Sequence, residues 1–251
     1  MLFVIFTVKQ LKEITMFIKA GDLKPSDYKG IPEMAAWRLH SDIFTILERF
    51  LKGKSKVFDF GCGQGAFSPR LVDRGMMVDA CDIDVSQIKA EVNRKIQLDL
   101  NREIPSGTFT TKYDVILAVE IIEHLQNPWK YLHDCSKLLG PGGFIVLTTP
   151  NISNFISRLR FFMKGALLAF EVADLKHGHI TPLSFVQIEN LCRSLSLEIV
   201  KTGHAGPVPL IHLYQVSRFT ILRNTILPLL YPFMSGPKRG RSLVYILKNK
   251  E

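Results

Sequence analysis

The chain has 251 residues, 47% of them apolar and 22% charged, and carries a formal net charge of +9. That length and apolar content support one substantial core elaborated by insertions rather than two independent domains. The four cysteines, Cys62, Cys81, Cys135 and Cys192, show no C-x-x-C spacing, so a disulfide framework and a zinc site are both excluded and the thiols read as reduced, as in a cytoplasmic protein.

Taken in chain order, the apolar run Met1 to Val8 has no preceding basic residue and meets Lys9, Lys12 and Glu13 within a few positions. It is too short and too interrupted for a signal peptide or a spanning helix. An extended translation start, with Met16 as the true first residue, accounts for it equally well. Residues 17–52 read as an N-terminal cap, in which Pro32-Glu33 opens a helix with Met34, Trp37, Phe44, Ile46, Leu47 and Phe50 at helical spacing.

Val57-Phe58-Asp59-Phe60-Gly61-Cys62-Gly63-Gln64-Gly65 then describes a buried strand running into a glycine-rich turn, with a helix expected from about Ala66 to Arg74. Glycines at alternate positions let a backbone approach a ligand where a Cβ would collide. A dinucleotide fingerprint would space them G-x-G-x-x-G and place no acid before the first. Here the spacing is G-x-G-x-G and Asp59 precedes it, which repels phosphate and suits an ammonium-bearing ligand. S-adenosylmethionine is the candidate. Further strands are expected at Met77 to Asp82, Lys95 to Leu100, Tyr113 to Val119, within Gly142 to Asn151 as a turn plus strand, and at Leu197 to Thr202 and Ser242 to Lys248. Helices are expected from Glu120 to Leu125, from Asn151 to Phe170 and over residues 182–195.

From Ser55 to Asn151 the series resembles the class I S-adenosylmethionine-dependent methyltransferases, of the kind acting on ubiquinone precursors or glycolipids. The resemblance implies a single methyltransferase domain over residues 1–251: an N-terminal extension and cap to residue 52, a cofactor-binding core over 53–151 and substrate-side insertions over 152–251. It implies a doubly wound, Rossmann-like α/β fold with a seven-stranded sheet of order 3-2-1-4-5-7-6, strand seven antiparallel. It assigns the cofactor site to Asp59, Gly61, Cys62, Gly63 and Gly65, to Asp82 for the ribose, with Asp84 as the local competitor, to Asp99 for the adenine amino group, and to Ile83, Leu100, Val119 and Glu120. It also implies a substrate lid in the basic, amphipathic segment after Asn151, where Ser157-Arg158-Leu159-Arg160-Phe161 looks like methyltransferases of envelope glycolipids or polysaccharides.

Charge is uneven: residues 1–150 hold 19 basic and 18 acidic residues, residues 151–251 hold 13 and 5. A cationic substrate half predicts an anionic substrate or surface. Within it Leu210 to Arg241 is apolar with basic flanks. Pro228 and Pro232 break the run, which favours a peripheral position at an anionic membrane, or packing against the protein's own core or a dimer partner, over a span. The expected reaction is methyl transfer, most simply to oxygen, on a small-molecule, glycolipid or saccharide-type acceptor. His124 and His179 are candidate bases, with His177 beside the latter.

Two alternatives stand beside this one. Glu120, Glu123, His124 and His179 resemble the metal site of the small-RNA 3′-terminal 2′-O-methyltransferases, since i, i+3 and i+4 on a helix share a face and a basic half suits RNA. The segment after His177-Gly178-His179 departs from that family, which places the second histidine ligand in question. A non-catalytic methyltransferase-like scaffold is the other alternative.

Overall fold

The computed structural model describes residues 26–206 and 239–250. A short hairpin, β1 (Asp27–Tyr28) and β2 (Ile31–Pro32), leads to helix α1 (Leu39–Leu47) and a 3-10 turn over Glu48–Phe50. The helix begins later than Pro32-Glu33 because Pro32 completes the hairpin ladder and Arg38, at φ 62°, interrupts the chain just before Leu39. Leu39, Ile43 and Leu47, one turn apart, form its buried stripe.

The strands and helices that follow are β3 (Lys56–Phe60), α2 (Pro69–Val72), β4 (Met77–Asp82), β5 (Arg94–Gln97), β6 (Tyr113–Ala118), α3 (Pro128–Leu138) and β7 (Leu139–Pro150). After them come α4 (Phe155–Lys164), α5 (Val172–Leu175), α6 (Phe185–Ser194), β8 (Leu197–Ala205) and β9 (Ser242–Asn249). The seven longer strands form one sheet of order β5-β4-β3-β6-β7-β9-β8. Counted along the sheet this is the expected 3-2-1-4-5-7-6. Strand β9 runs antiparallel to both β7 and β8, while β3, β4, β5, β6 and β7 pair in parallel.

The parallel centre is buried on both faces, which is why its strands are near-continuous apolar runs. Alternation still divides them: Phe58, Phe60 and Ile116 enter one core with Tyr131, Leu132 and Leu191, whereas Val57, Val115 and Leu117 enter another with Leu39, Ile43 and Leu71.

Besides the cap helix, other expected elements differ: the helix expected from Asn151 to Phe170 spans only Phe155–Lys164, between the Asn154 cap and Gly165. Helix α2 spans only Pro69–Val72 rather than Ala66 to Arg74. Ser68, at the cap position, sends its hydroxyl to Asp59 instead of to the helix, and Gly75 at φ 76° turns the chain soon after. The third strand ends at Gln97, with Asp99 in the turn beyond it. From Glu120 to Leu125 there is no α-helix, only a 3-10 turn at Ile122–His124 entered through Glu120 at φ 50°.

Among the described residues, no helix is long and apolar enough to cross a membrane. The expectations for residues 1–16, and for Leu210 to Arg241 as far as residue 238, lie outside the described residues.

Candidate functional site

The carboxyl ends of β3 and β4 meet at the glycine turn, the crevice where open α/β sheets place their ligands. The N–H groups of Gly61 and Cys62 both donate to the Cys81 carbonyl, at 3.1 and 3.0 Å, tying the turn to β4. Gly63 N–H donates to Asp82 Oδ2 at 2.7 Å, and Ile83 N–H to Asp82 Oδ1 at 2.8 Å. Two of the glycines are required by the protein's own packing: a Cβ on Gly61 would lie 2.4 Å from Ile121 Cγ1, and one on Gly65 would lie 2.7 Å from Ala90 Cβ. Gly63 differs, since at φ 54° its hypothetical Cβ meets nothing within 4 Å. The backbone there is bare toward open space beside a carboxylate.

Asp59 is buried beneath the turn and accepts the Ser68 hydroxyl at 2.6 Å. Burial pushes its carboxyl up to about 7, with the Asp82 charge adding to the rise and the Ser68 bond opposing it. A cationic group bound nearby would return it to the ionised form. Ile83, beside Asp82, presents an exposed apolar side chain. Asp99 accepts the Asn101 N–H at 3.0 Å and pairs with Arg102, while Leu100 behind it is buried. Cys62 is half-buried and its thiol is raised by burial, which leaves it unreactive.

Past β6, the structure divides the four expected metal-site residues. Thr148 Oγ1 accepts the Glu120 N–H at 3.0 Å and donates to Glu120 Oε1 at 2.9 Å, while Ser242 Oγ donates to Oε2 at 3.1 Å. Glu120 is therefore committed to β7 and β9 and shares no helical face with Glu123. Ligand atoms of Glu123, His124 and His179 do converge, all within 4.8 Å of one another. Glu123 is fully buried, and its carboxyl oxygens make no well-aligned hydrogen bond, with the Thr149 hydroxyl and the Glu123 N–H the nearest donors. Burial, and then the charge of Glu120, hold its carboxyl well above the usual range.

The two imidazoles meet edge to face with centroids 4.7 Å apart. His179 Nδ1–H donates to the Ala169 carbonyl at 2.7 Å, leaving Nε2 as the atom with a free lone pair. His124 is pulled below the ordinary imidazole value, first by burial and then by His179. The His177-Gly178-His179 loop is held here because the Ile180 and Thr181 N–H groups donate to the Glu123 carbonyl, at 3.0 and 2.9 Å. Thr181 Oγ1 also donates to Leu125 O at 2.5 Å.

Other residues at the site had no sequence signal. Arg70 pairs with buried Glu33 and donates to Ala66 O, and its guanidinium lies 4.1 Å from the Tyr28 ring centroid. His40, beside them, is depressed to about 3, chiefly by burial and then by Arg70, and so stays neutral. These contacts strap the β1–β2 hairpin to the glycine turn, where Ile31 packs with Ala66, Ile88 and Ala90.

A family model described as a methyltransferase domain matches residues 35–202. A ubiquinone biosynthesis O-methyltransferase from Azoarcus sp. (strain BH72) is 29% identical over 179 residues, 68% of this chain and 75% of that protein. One from Coxiella burnetii (strain RSA 493 / Nine Mile phase I) is 34% identical over 128 residues, 49% of this chain and 53% of its own length. Among solved structures, a SAM dependent methyltransferase from Archaeoglobus fulgidus superposes with a TM-score of 0.56 at 18% identity, covering 84% of this chain and 94% of its own, a likeness of fold.

Proposed function

The chain belongs to the methyltransferase-domain family and is an S-adenosylmethionine-dependent methyltransferase, and from that premise we propose that it methylates an oxygen of a small-molecule, glycolipid or saccharide-type acceptor seated against His124 and His179. The observation that carries the reading is the bare backbone at Gly63 beside Asp82, one strand from a pair of imidazoles in edge-to-face contact at the same sheet edge. The residues fit the cofactor: Asp82 offers a carboxylate for ribose hydroxyls, Asp59 a buried carboxyl for an ammonium, and Ile83 an exposed apolar side chain for a flat ring. Asp99 is the acid proposed for the adenine amino group.

When bound, S-adenosylmethionine supplies an activated methyl group on a sulfonium, so placement and dryness count for more than acid–base help. His179 is positioned for the remaining proton: its Nδ1–H is held by Ala169, and Nε2 is free to accept a proton from the acceptor hydroxyl as the oxygen attacks. His124 packs against its ring and keeps a neutral neighbour there. The names of the two relatives support oxygen as the acceptor atom.

Glu123 favours a second reading. A fully buried carboxyl with no well-aligned partner is costly to ionise unless something satisfies it. With His124 and His179 it forms an oxygen and nitrogen donor set suited to a divalent transition metal, which when bound would lower the pKa of an acceptor hydroxyl. Glu120, already bonded by Thr148 and Ser242, stands outside this set. Adjacent hydroxyls, as on a sugar, a catechol-like ring or an RNA terminus, are the acceptors such a site would grip.

Methyl-labelled cofactor, incubated with fractionated lipid, saccharide, small-molecule and RNA extracts, tests the first reading. Label in one of the first three fractions supports it, and label in RNA alone refutes it. No transfer together with no cofactor binding would support the scaffold alternative. Methylation unchanged by chelator and by Glu123→Ala would eliminate the metal.

A further inference from the structure

Among the described residues, the substrate side of the molecule carries an apolar surface that no other described element covers. Helix α4 is capped at both ends, by the Asn154 side chain accepting the Ser157 N–H at 2.8 Å and by Gly165 at φ 67°. Its inward face holds Ile156 and Ser157, both buried. At ~100° per residue, Arg158, Leu159 and Phe162 fall on the opposite arc. Phe162 is 87% exposed and Phe161 56%, the reverse of the polar outer face an ordinary surface helix presents. The chain continues from there into α5, where Val172 is 80% exposed.

Basic residues outnumber acids around this apolar surface, four to two between Phe155 and Lys176. Arg158, Lys164 and Lys176 are exposed. The two acids of the segment are occupied: Glu171 pairs with Arg160, and Asp174 accepts the Glu171 N–H at 2.9 Å. The surface is also continuous with the site, because the chain leaving α4 is pinned by Leu168 N–H donating to Ser157 Oγ at 3.0 Å and then offers the Ala169 carbonyl to His179. Ala169 adopts φ 67°, a strained conformation for a residue with a side chain, at the junction of the two.

We infer that the outer face of α4 and α5 docks on an anionic lipid surface, so that the acceptor reaches His179 from the bilayer. Apolar side chains ringed by lysine and arginine match a headgroup layer of negative charge: the rings enter the interface while the cations stay among the headgroups. A second copy of the chain fits less well, since isologous pairing would set the same basic residues against each other. The choice of a lipid-borne acceptor rests on the oxygen-methyltransferase reading; the docking does not.

Flotation of the full chain with phosphatidylglycerol-containing vesicles, and with pure phosphatidylcholine vesicles, tests it. The expected result is co-flotation with the anionic vesicles, weakened by salt. Phe161→Ser/Phe162→Ser is expected to lower partitioning by about tenfold or more. Arg158→Glu and Lys164→Glu are expected to lower it at least fivefold each, as a basic residue near an anionic surface contributes ~1 kcal/mol. Each variant should bind S-adenosylmethionine as the parent does, which shows that it folds and separates this test from that of the methyltransferase reading. No flotation with anionic vesicles at low salt overturns the proposal. So does undiminished flotation of the double phenylalanine variant, which would place the contact elsewhere on the chain. A dimer that this variant converts to monomer, without lipid binding by the parent, overturns it in favour of self-association.

Discussion

Alanine at Gly63 and alanine at Gly61 should fail in different ways. At Gly63, φ 54° lies in the left-handed region, where a side chain costs ~1–2 kcal/mol, and the new methyl meets no protein atom within 4 Å. The folded protein should therefore survive, with a melting temperature lower by about 2–8 °C for a chain of this length. The methyl would project into the space assigned to the cofactor, and crowding of ~1–3 kcal/mol predicts an affinity loss of about 5- to 150-fold. At Gly61, φ 99° and a contact of 2.4 Å with Ile121 Cγ1 act together, so Gly61→Ala should lose stability beyond strain alone, by ~2–5 kcal/mol. Ile121→Ala in that background should recover part of the loss, as a coupling of ~0.5–3 kcal/mol in a double-mutant cycle. Urea denaturation and titration calorimetry read the two quantities separately. Gly63→Ala binding S-adenosylmethionine as tightly as the parent would refute the placement of the site.

Asp59 gives a pH signature. Its folded value of about 7 lies above the ordinary carboxyl value of ~3.9, so in the cofactor-free protein its contribution to stability is full below that ordinary value and is lost as pH rises through about 7. A bound ammonium favours the ionised form; binding at about pH 6 should release a proton, seen as buffer-dependent heats, and Asp59→Asn should abolish it. Heats independent of buffer would contradict the assignment. His179→Ala should lower kcat by ~10²–10⁴ while leaving cofactor affinity unchanged, His124→Ala should lower it less, and unaltered kcat in His179→Ala would remove the base. Asn154→Ala should cost about 1 kcal/mol through loss of the α4 cap, read as a lower melting temperature, and full stability would show that α4 does not depend on it.

Local chemistry announced itself in the sequence, and distant partners did not. The run Val57 to Gly65 combines a strand buried on both faces with a turn that needs positive φ, and both signals lie within one short stretch, as do the acids closing β4 and following β5. The strand order followed from the resemblance those stretches support. The segment after β6 misled because helix-forming residues there are overruled by hydrogen bonds from Thr148 and from Ser242, the latter 122 positions away. Helix α2 is short for a related reason: the Ser68 hydroxyl is drawn to Asp59. The strap of Glu33, His40 and Arg70 joins residues 37 positions apart, and no local pattern marks it.

Titration calorimetry of the purified chain with S-adenosylmethionine bears most directly on the glycine turn as a cofactor site. One-to-one binding, lost on replacing Asp82 with alanine, is the predicted result. Absence of binding by the parent chain, or equal binding by Asp82→Ala, would contradict it.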